Sequence, residues 1–250
     1  MPVRLASQLF YVHGENELRR NEPGGRYVPP YRIVAYNRIM HVATNDGLAK
    51  AAIHLARHDP VLAPIIRRAG RADFRPHTDY YSALVNSIIG QQLSVKAAAS
   101  IKRRFEALFG GTLPSPEAIL EQPEDKLRSV GLSRPKIKYI KDLAQHILDG
   151  KIDFTKLNML SNEQVIAELT DVKGIGEWTA HMFLMFCMGR LDVLPVGDLG
   201  IRNGVQNLYH LAELPDPEAI QKIASINQWH PYESVASWYV WHSLDNAPAA

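Results

Sequence analysis

The residues best suited to chemistry lie in Leu169-Thr170-Asp171-Val172-Lys173-Gly174-Ile175-Gly176-Glu177-Trp178-Thr179-Ala180 and at Asp198. A Gly-Ile-Gly step between two helical patterns predicts a tight hairpin with backbone N–H groups pointing outward. Glycine permits the turn and removes side-chain bulk where a ligand backbone would approach. An anion such as a DNA phosphate fits that arrangement. A lone Gly-x-Gly is a weak signal, because glycine turns join helices in many proteins. Leu169 and Val172 before the turn, and Ile175 between the glycines, strengthen it as apolar anchors. Asp198 opens a helix after Leu194-Pro195-Val196-Gly197. Its side chain is either an N-cap or a carboxylate aimed at whatever the hairpin holds. A third segment, Ser87-Ile88-Ile89-Gly90-Gln91-Gln92-Leu93-Ser94, breaks one helix at Gly90 and restarts at Ser94. On bare chemistry its two amides and leucine amount to a capping loop.

Helices must position these segments, and the periodicity supplies them. Asp46 is placed to cap a helix carrying Leu48, Ala52 and Leu55 on one face. Further helices are expected over 63–69, 80–89, 95–108, 124–130, 135–148, 162–169, 177–188, 198–209, 217–226 and 233–244. Another short one starts at Leu113-Pro114-Ser115-Pro116-Glu117, with proline just inside it. No segment alternates as a strand, so the fold class is all-α.

At 250 residues and 46% hydrophobic, the chain can bury a core in one domain or two small ones. A net charge of +2 provides no large basic field. The single cysteine, Cys187, excludes a disulfide framework and a four-cysteine iron–sulfur cluster, and its apolar neighbours read as core. No long apolar N-terminal region and no membrane-length apolar run occur, so a soluble intracellular protein is expected. Residues 1–45 differ from the rest. They form either a tail packed over the body or partly ordered, or an arm touching DNA through Arg19, Arg20, Arg26, Arg32 and Arg38. Arg128, Arg134, Lys136, Lys138 and Lys141 are either a solvated face or a flank along a DNA backbone. His54 and His58 lack the acidic or cysteine partners of a metal site. Of the large aromatics, Trp238 or Trp241 is expected in the core.

In the hairpin, the glutamine loop and Val193-Leu194-Pro195-Val196-Gly197-Asp198-Leu199-Gly200-Ile201-Arg202, the chain resembles the helix-hairpin-helix DNA glycosylases. The likeness is nearest to the 3-methyladenine DNA glycosylase II branch and spans about 46–245. It implies two helical lobes with a cleft between them. A central lobe would cover roughly 80–190 and a second roughly 46–79 plus 191–245, with residues 1–45 an N-terminal extension. It implies that N–H groups around Gly174 and Gly176 bind a phosphate. The carbonyls of Thr170, Val172 and Ile175 would hold a monovalent cation, potassium or sodium. Lys173 stands where the family usually has proline, and either adds a phosphate contact or faces solvent. Gln92 occupies the position that fills the gap left by a flipped nucleotide, with Leu93 beside it. Some relatives have leucine where Gln92 stands. Gln91 becomes a structural or strand-contacting amide. Asp198 matches the catalytic aspartate, and Arg202 either holds a phosphate or pairs with it.

The implied chemistry suits one carboxylate. An alkylated, positively charged purine is already a good leaving group, and its loss builds positive charge on the sugar. An ionised carboxylate near C1′ stabilises that charge and orients or deprotonates water. Trp178, Met182, Tyr232 and Trp229 form the implied base pocket, where electron-rich faces stack on a cationic base. Trp178 is expected to face Asp198 across the cleft. It also stands where backbone-cutting relatives carry a nucleophilic lysine, so no lyase step is implied. The implied protein is a monomeric, monofunctional glycosylase of base excision repair. It would remove 3-methyladenine, and 7-methylguanine with it, from double-stranded DNA. No cofactor is required beyond that cation, and no iron–sulfur cluster. The alternatives are a non-catalytic helix-hairpin-helix DNA-binding protein and a glycosylase for deaminated bases.

Overall fold

The computed structural model describes residues 42–245, so the reading of the N-terminal extension and its five arginines lies outside the described residues. Every regular element among them is helical: α1 (Asn45–His58), α2 (Ala63–Ala69), α3 (Tyr80–Gly90), α4 (Val95–Leu108), α5 (Pro116–Glu121), α6 (Glu124–Ser129), α7 (Arg134–Leu148), α8 (Asn162–Thr170), α9 (Glu177–Met182), α10 (Leu199–Leu208), α11 (Pro217–Ile226) and α12 (Glu233–Asp245). Among the described residues an isolated antiparallel bridge joins Val42 to Arg190. The all-α reading therefore holds. None of the described helices is long and apolar enough to cross a membrane.

Short polar residues begin these helices for a physical reason. The first four N–H groups of a helix lack internal partners, and a serine, threonine or aspartate side chain supplies one acceptor. Ser94, Ser115, Ser133, Ser161 and Asp216 do so for α4, α5, α7, α8 and α11. At α1 the cap is Thr44, which accepts from Gly47 N–H, rather than the expected Asp46. Asp46 sits in the first turn instead, 2.6 Å from Lys50. Three possible cappers in a row, Thr44, Asn45 and Asp46, make this end ambiguous in sequence, and the extended backbone of Thr44 decides it.

The chain forms two compact units, Thr78–Ala180 and a second built from residues 42–77 and 181–245. In the first, α3 lies inside, with Tyr81, Leu84, Val85, Ile88 and Ile89 buried together with the small polar Ser82 and Ser87. It packs on α4 and α7, and α7 also packs on α5 and α6. In the second, α12 occupies the centre against α1, α2 and α10, burying Val235, Tyr239, Val240 and Trp241. A Cβ on Gly204 would lie 2.4 Å from Val240 Cγ1, so glycine is what allows α10 this close to α12.

The sequence predicts one helix over 177–188. The structure ends α9 at Met182 and continues as a π-helical turn, Phe183–Cys187, with Met188 N–H on the Phe183 carbonyl at 3.1 Å. All five side chains are fully buried. A segment apolar on every face gives periodicity no means of marking the wider turn.

Asp59, directly after α1, is fully buried and fully engaged. Its Oδ1 accepts the N–H groups of Val61 and Leu62 at 2.9 and 3.0 Å. Its Oδ2 accepts Trp229 Nε1 at 2.7 Å and the Tyr209 hydroxyl. Burial, and then the bond to Asp59, push the Tyr209 hydroxyl far above its ordinary pKa. Asp59→Ala leaves four donors without this acceptor, at about 1–3 kcal/mol for each one left unsatisfied. The variant is expected to lose at least about 3 kcal/mol in urea unfolding followed by circular dichroism. A loss under about 1 kcal/mol would mean that water replaces the carboxylate.

Candidate active site

The hairpin lies where the glycine spacing places it, between α8 and α9. Leu169, Val172 and Ile175 are buried beneath it, and Ile175 N–H closes the turn on the Val172 carbonyl at 3.0 Å. The two glycines have different jobs. Gly174 has φ +84°, and a Cβ there would come within 2.2 Å of the Tyr139 ring. Only glycine fits. Gly176 has open space where a Cβ would go. A bulkier residue at Gly174 would therefore disturb the fold, whereas Gly176 has room for one.

The hairpin is braced on α7. Lys173 is exposed, yet its N–H and ammonium bond both oxygens of Asp142 at 2.9 and 3.0 Å. His146 Nε2 lies 3.0 Å from Asp171 Oδ2, and its Nδ1 2.8 Å from the Asp142 carbonyl. Burial pushes the Asp142 carboxyl up, but the two Lys173 donors and His146 outweigh it and hold it below the usual carboxylate range. The carbonyls proposed for a cation are oxygen donors suited to a hard ion. Thr170 closes α8, where carbonyls have no following intrahelical donor, and a carbonyl such as that of Val172 retains a second lone pair. These residues fit a monovalent cation.

The glutamine loop belongs to the same unit and is joined to the hairpin. Gln91 Nε2 donates to the Gly174 carbonyl at 2.7 Å, which makes Gln91 a structural amide. Gln92 is exposed with φ +57°, a backbone region uncommon outside glycine and enriched at functional sites. Leu93 is half-buried, with its N–H on the Gly90 carbonyl at 3.1 Å. Part of the basic flank is not a flank. Lys136 Nζ caps α3 through the Ile89 and Gln91 carbonyls, and Lys141 Nζ caps α5 through those of Leu120 and Gln122. Arg128 and Lys138 remain exposed, and Arg134 lies 3.7 Å from Glu124. Trp178 is half-buried in the first turn of α9.

In the other unit, Asp198 is the N-cap of α10 and only 6% exposed. Its Oδ1 accepts Ile201 N–H at 2.8 Å and Trp241 Nε1 at 2.8 Å. A Cβ on Gly200 would lie 2.9 Å from that indole nitrogen, so glycine opens the path between them. Trp241 stacks on Phe186, which stacks on Phe74, tying the carboxylate's support into the core. Arg202 is half-buried and sends Nε to the Pro215 carbonyl at 2.8 Å. Tyr232 is half-buried with its ring edge-on to His54. Met182 and Trp229 are fully buried, so neither presents an open face to a base. Trp229 is a core residue bonded to Asp59, and Met182 runs into the buried π-helical turn. Aromatic and thioether side chains carry the same sequence signature in a core as in a pocket.

Trp241, Lys136 and Tyr139 emerge only in three dimensions. Trp241 is 43 positions from Asp198 and Lys136 is 45 from Gln91, so no local pattern links them. The Asp142–His146 pair at i,i+4 on α7 was a legible signal of the brace.

A family model described as HhH-GPD superfamily base excision DNA repair protein matches residues 85–228. The chain is 35% identical to DNA-3-methyladenine glycosylase 1 of Schizosaccharomyces pombe over 202 residues, 78% of this chain and 87% of that protein. Its structure is similar to a DNA-3-methyladenine glycosidase from Bacillus halodurans, with 40% identity, a TM-score of 0.70 and coverage of 78% of this chain and 89% of that one. It is also similar to a Schizosaccharomyces pombe 3-methyladenine DNA glycosylase in complex with abasic DNA. There the identity is 34% and the TM-score 0.68, covering 80% of this chain and 99% of that one.

Two stability measurements probe the hairpin. Gly174→Ala combines a left-handed backbone with a displaced ring and is expected to cost about 2–4 kcal/mol in urea. Gly176→Ala is expected to change stability by less than about 1 kcal/mol. Equal stability of the two variants would contradict this division. The Asp142 carboxyl titrates below its unfolded value. The stability it contributes is therefore present above the ordinary carboxylate range and lost as pH falls through the depressed pKa. Lys173→Met narrows that gap, so its acid unfolding midpoint is expected at higher pH than the parent's. An unmoved midpoint would show that the pair does not brace the folded hairpin.

Proposed function

The chain belongs to the HhH-GPD superfamily of base excision DNA repair proteins, and from that membership we propose that it hydrolyses the N-glycosidic bond of alkylated purines in double-stranded DNA. 3-Methyladenine is the foremost substrate and 7-methylguanine a second. The observation that carries the reading is Asp198: a carboxylate pinned through Oδ1 by a helix N–H and a buried indole, in a chain of this family. Relatives named as 3-methyladenine glycosylases, one of them bound to abasic DNA, support it.

The hairpin N–H groups around Gly174 and Gly176 bind a phosphate beside the lesion, where the open space at Gly176 admits a backbone. A monovalent cation on the carbonyls of Thr170, Val172 and Ile175 would add positive charge to that contact. Gln92 fills the duplex where the damaged nucleotide has turned out, and Leu93 supports it. Trp178, half-buried in the first turn of α9, stacks on the cationic base. As the bond from C1′ to the base nitrogen lengthens, positive charge grows on the sugar and Asp198 stabilises it. Water adds to C1′, its proton passes toward the carboxylate, and the neutral base leaves. Preorganisation matters because the carboxylate does not have to reorient during the reaction. Trp178 cannot form a Schiff base, so the reaction ends at the abasic site. One chain suffices, acting on DNA inside the cell.

Duplexes carrying single defined lesions test this, with free base and alkali-labile sites as readouts. Asp198→Asn keeps a good helix cap. It is expected to slow base release at least about 100-fold while leaving lesion-DNA binding measurable. Retained turnover would remove Asp198 from the chemistry. Gly176→Leu is expected to weaken DNA binding in anisotropy titrations, and unchanged affinity would sink the hairpin clamp. Borohydride is expected to trap no protein–DNA adduct, and a trapped one would refute the monofunctional reading.

A further inference from the structure

Helix α3 stops at Gly90, where Gln91 N–H serves the Ser87 carbonyl and Leu93 N–H serves that of Gly90. A distant side chain serves the Ile89 and Gln91 carbonyls. Lys136 Nζ bonds the Ile89 and Gln91 carbonyls at 2.7 and 2.8 Å. Lys136 sits in the first turn of α7, where that helix's own dipole disfavours a cation. The C-terminal end of α3 carries the opposite partial charge and favours it. Burial lowers the ammonium's pKa, as partial loss of water requires. Directly after the two tethered carbonyls comes Gln92, exposed and left-handed at φ +57°.

The same helix holds the hairpin. Tyr139 fills the space beside Gly174, and Asp142 takes both donors of Lys173. Gln91 closes the circuit by bonding the Gly174 carbonyl at 2.7 Å. The loop and the hairpin are thus fastened to one helix and to each other.

We propose that Lys136 is a positioning residue: by fastening the Ile89 and Gln91 carbonyls to α7, it holds Gln92 as a preformed wedge in constant register with the hairpin. What the wedge does rests on the glycosylase reading; the tether does not. A wedge that is already ordered adds no ordering cost when DNA arrives. An ammonium engaged by two carbonyls is also a poor phosphate ligand, which separates this role from a place on a basic flank.

Lys136→Met removes the donors, and Lys136→Arg keeps charge and donors. Three readouts apply: amide hydrogen exchange at residues 91–94 without DNA, the salt dependence of affinity for undamaged duplex, and single-turnover release from a duplex with one 7-methylguanine. In Lys136→Met the loop amides are expected to exchange roughly five- to tenfold faster, as loss of one charge-assisted cap implies. Base release is expected to slow by a similar factor while the salt slope stays unchanged. Lys136→Arg is expected near the parent in all three. Lys136→Gln, with fewer donors, is expected between them and serves if the methionine variant does not fold. Unchanged loop exchange overturns the proposal. So does a salt slope that falls by about one with the loop still protected, which assigns Lys136 to a phosphate. A parent protein that releases no base rejects the glycosylase reading and not the tether, which the exchange result decides by itself.

Discussion

Every helix end exposes four N–H or four C=O groups without internal partners, and in a fold of short helices such ends make up much of the backbone. The rest of this structure follows from how those groups are satisfied. Local serines, threonine and aspartates cap the N-termini. Distant lysines cap two C-termini, Lys136 at α3 and Lys141 at α5. The candidate functional residues occupy the same kind of place. Asp198 is a cap, Gln92 follows a C-terminus, and the hairpin is the junction of two ends. Backbone polarity left over from folding is also what binds anions and places carboxylates.

Two buried aspartates show how context divides one residue type. Asp59 spreads four donors over both oxygens inside the core and pins Trp229 and Tyr209. Asp198 gathers a helix N–H and an indole N–H on the same oxygen at the start of α10. The first arrangement fixes a lobe. The second fixes one carboxylate in one orientation, which is what electrostatic stabilisation of a growing charge needs.

The helices were legible because their caps and periodicity are local. So were the hairpin and the break at Gly90, because glycine has few other reasons to sit between helical runs. The π-helical turn was not, since Phe183 to Cys187 are buried on all sides and leave no polar face to read. The full burial of Trp229 and Met182 was not legible either, because core and pocket lining select the same side chains. The supports of the site, Trp241 on Asp198 and Lys136 on the glutamine loop, act across long stretches of chain. Their pairing is a property of packing and has no local pattern.

The unit that carries Asp198 is discontinuous in the chain, and this sets an order of events during synthesis. Residues 78–180 leave the ribosome as an unbroken block, whereas residues 42–77 must wait for 181–245 before their unit can close. Trp241 follows Asp198 by 43 residues, about 2–9 s at a synthesis rate of roughly 5–20 residues per second. For that interval α10 lacks the helix against which Gly204 packs, and the carboxylate lacks its indole. A nascent chain therefore possesses its glycine hairpin seconds before it holds its aspartate still.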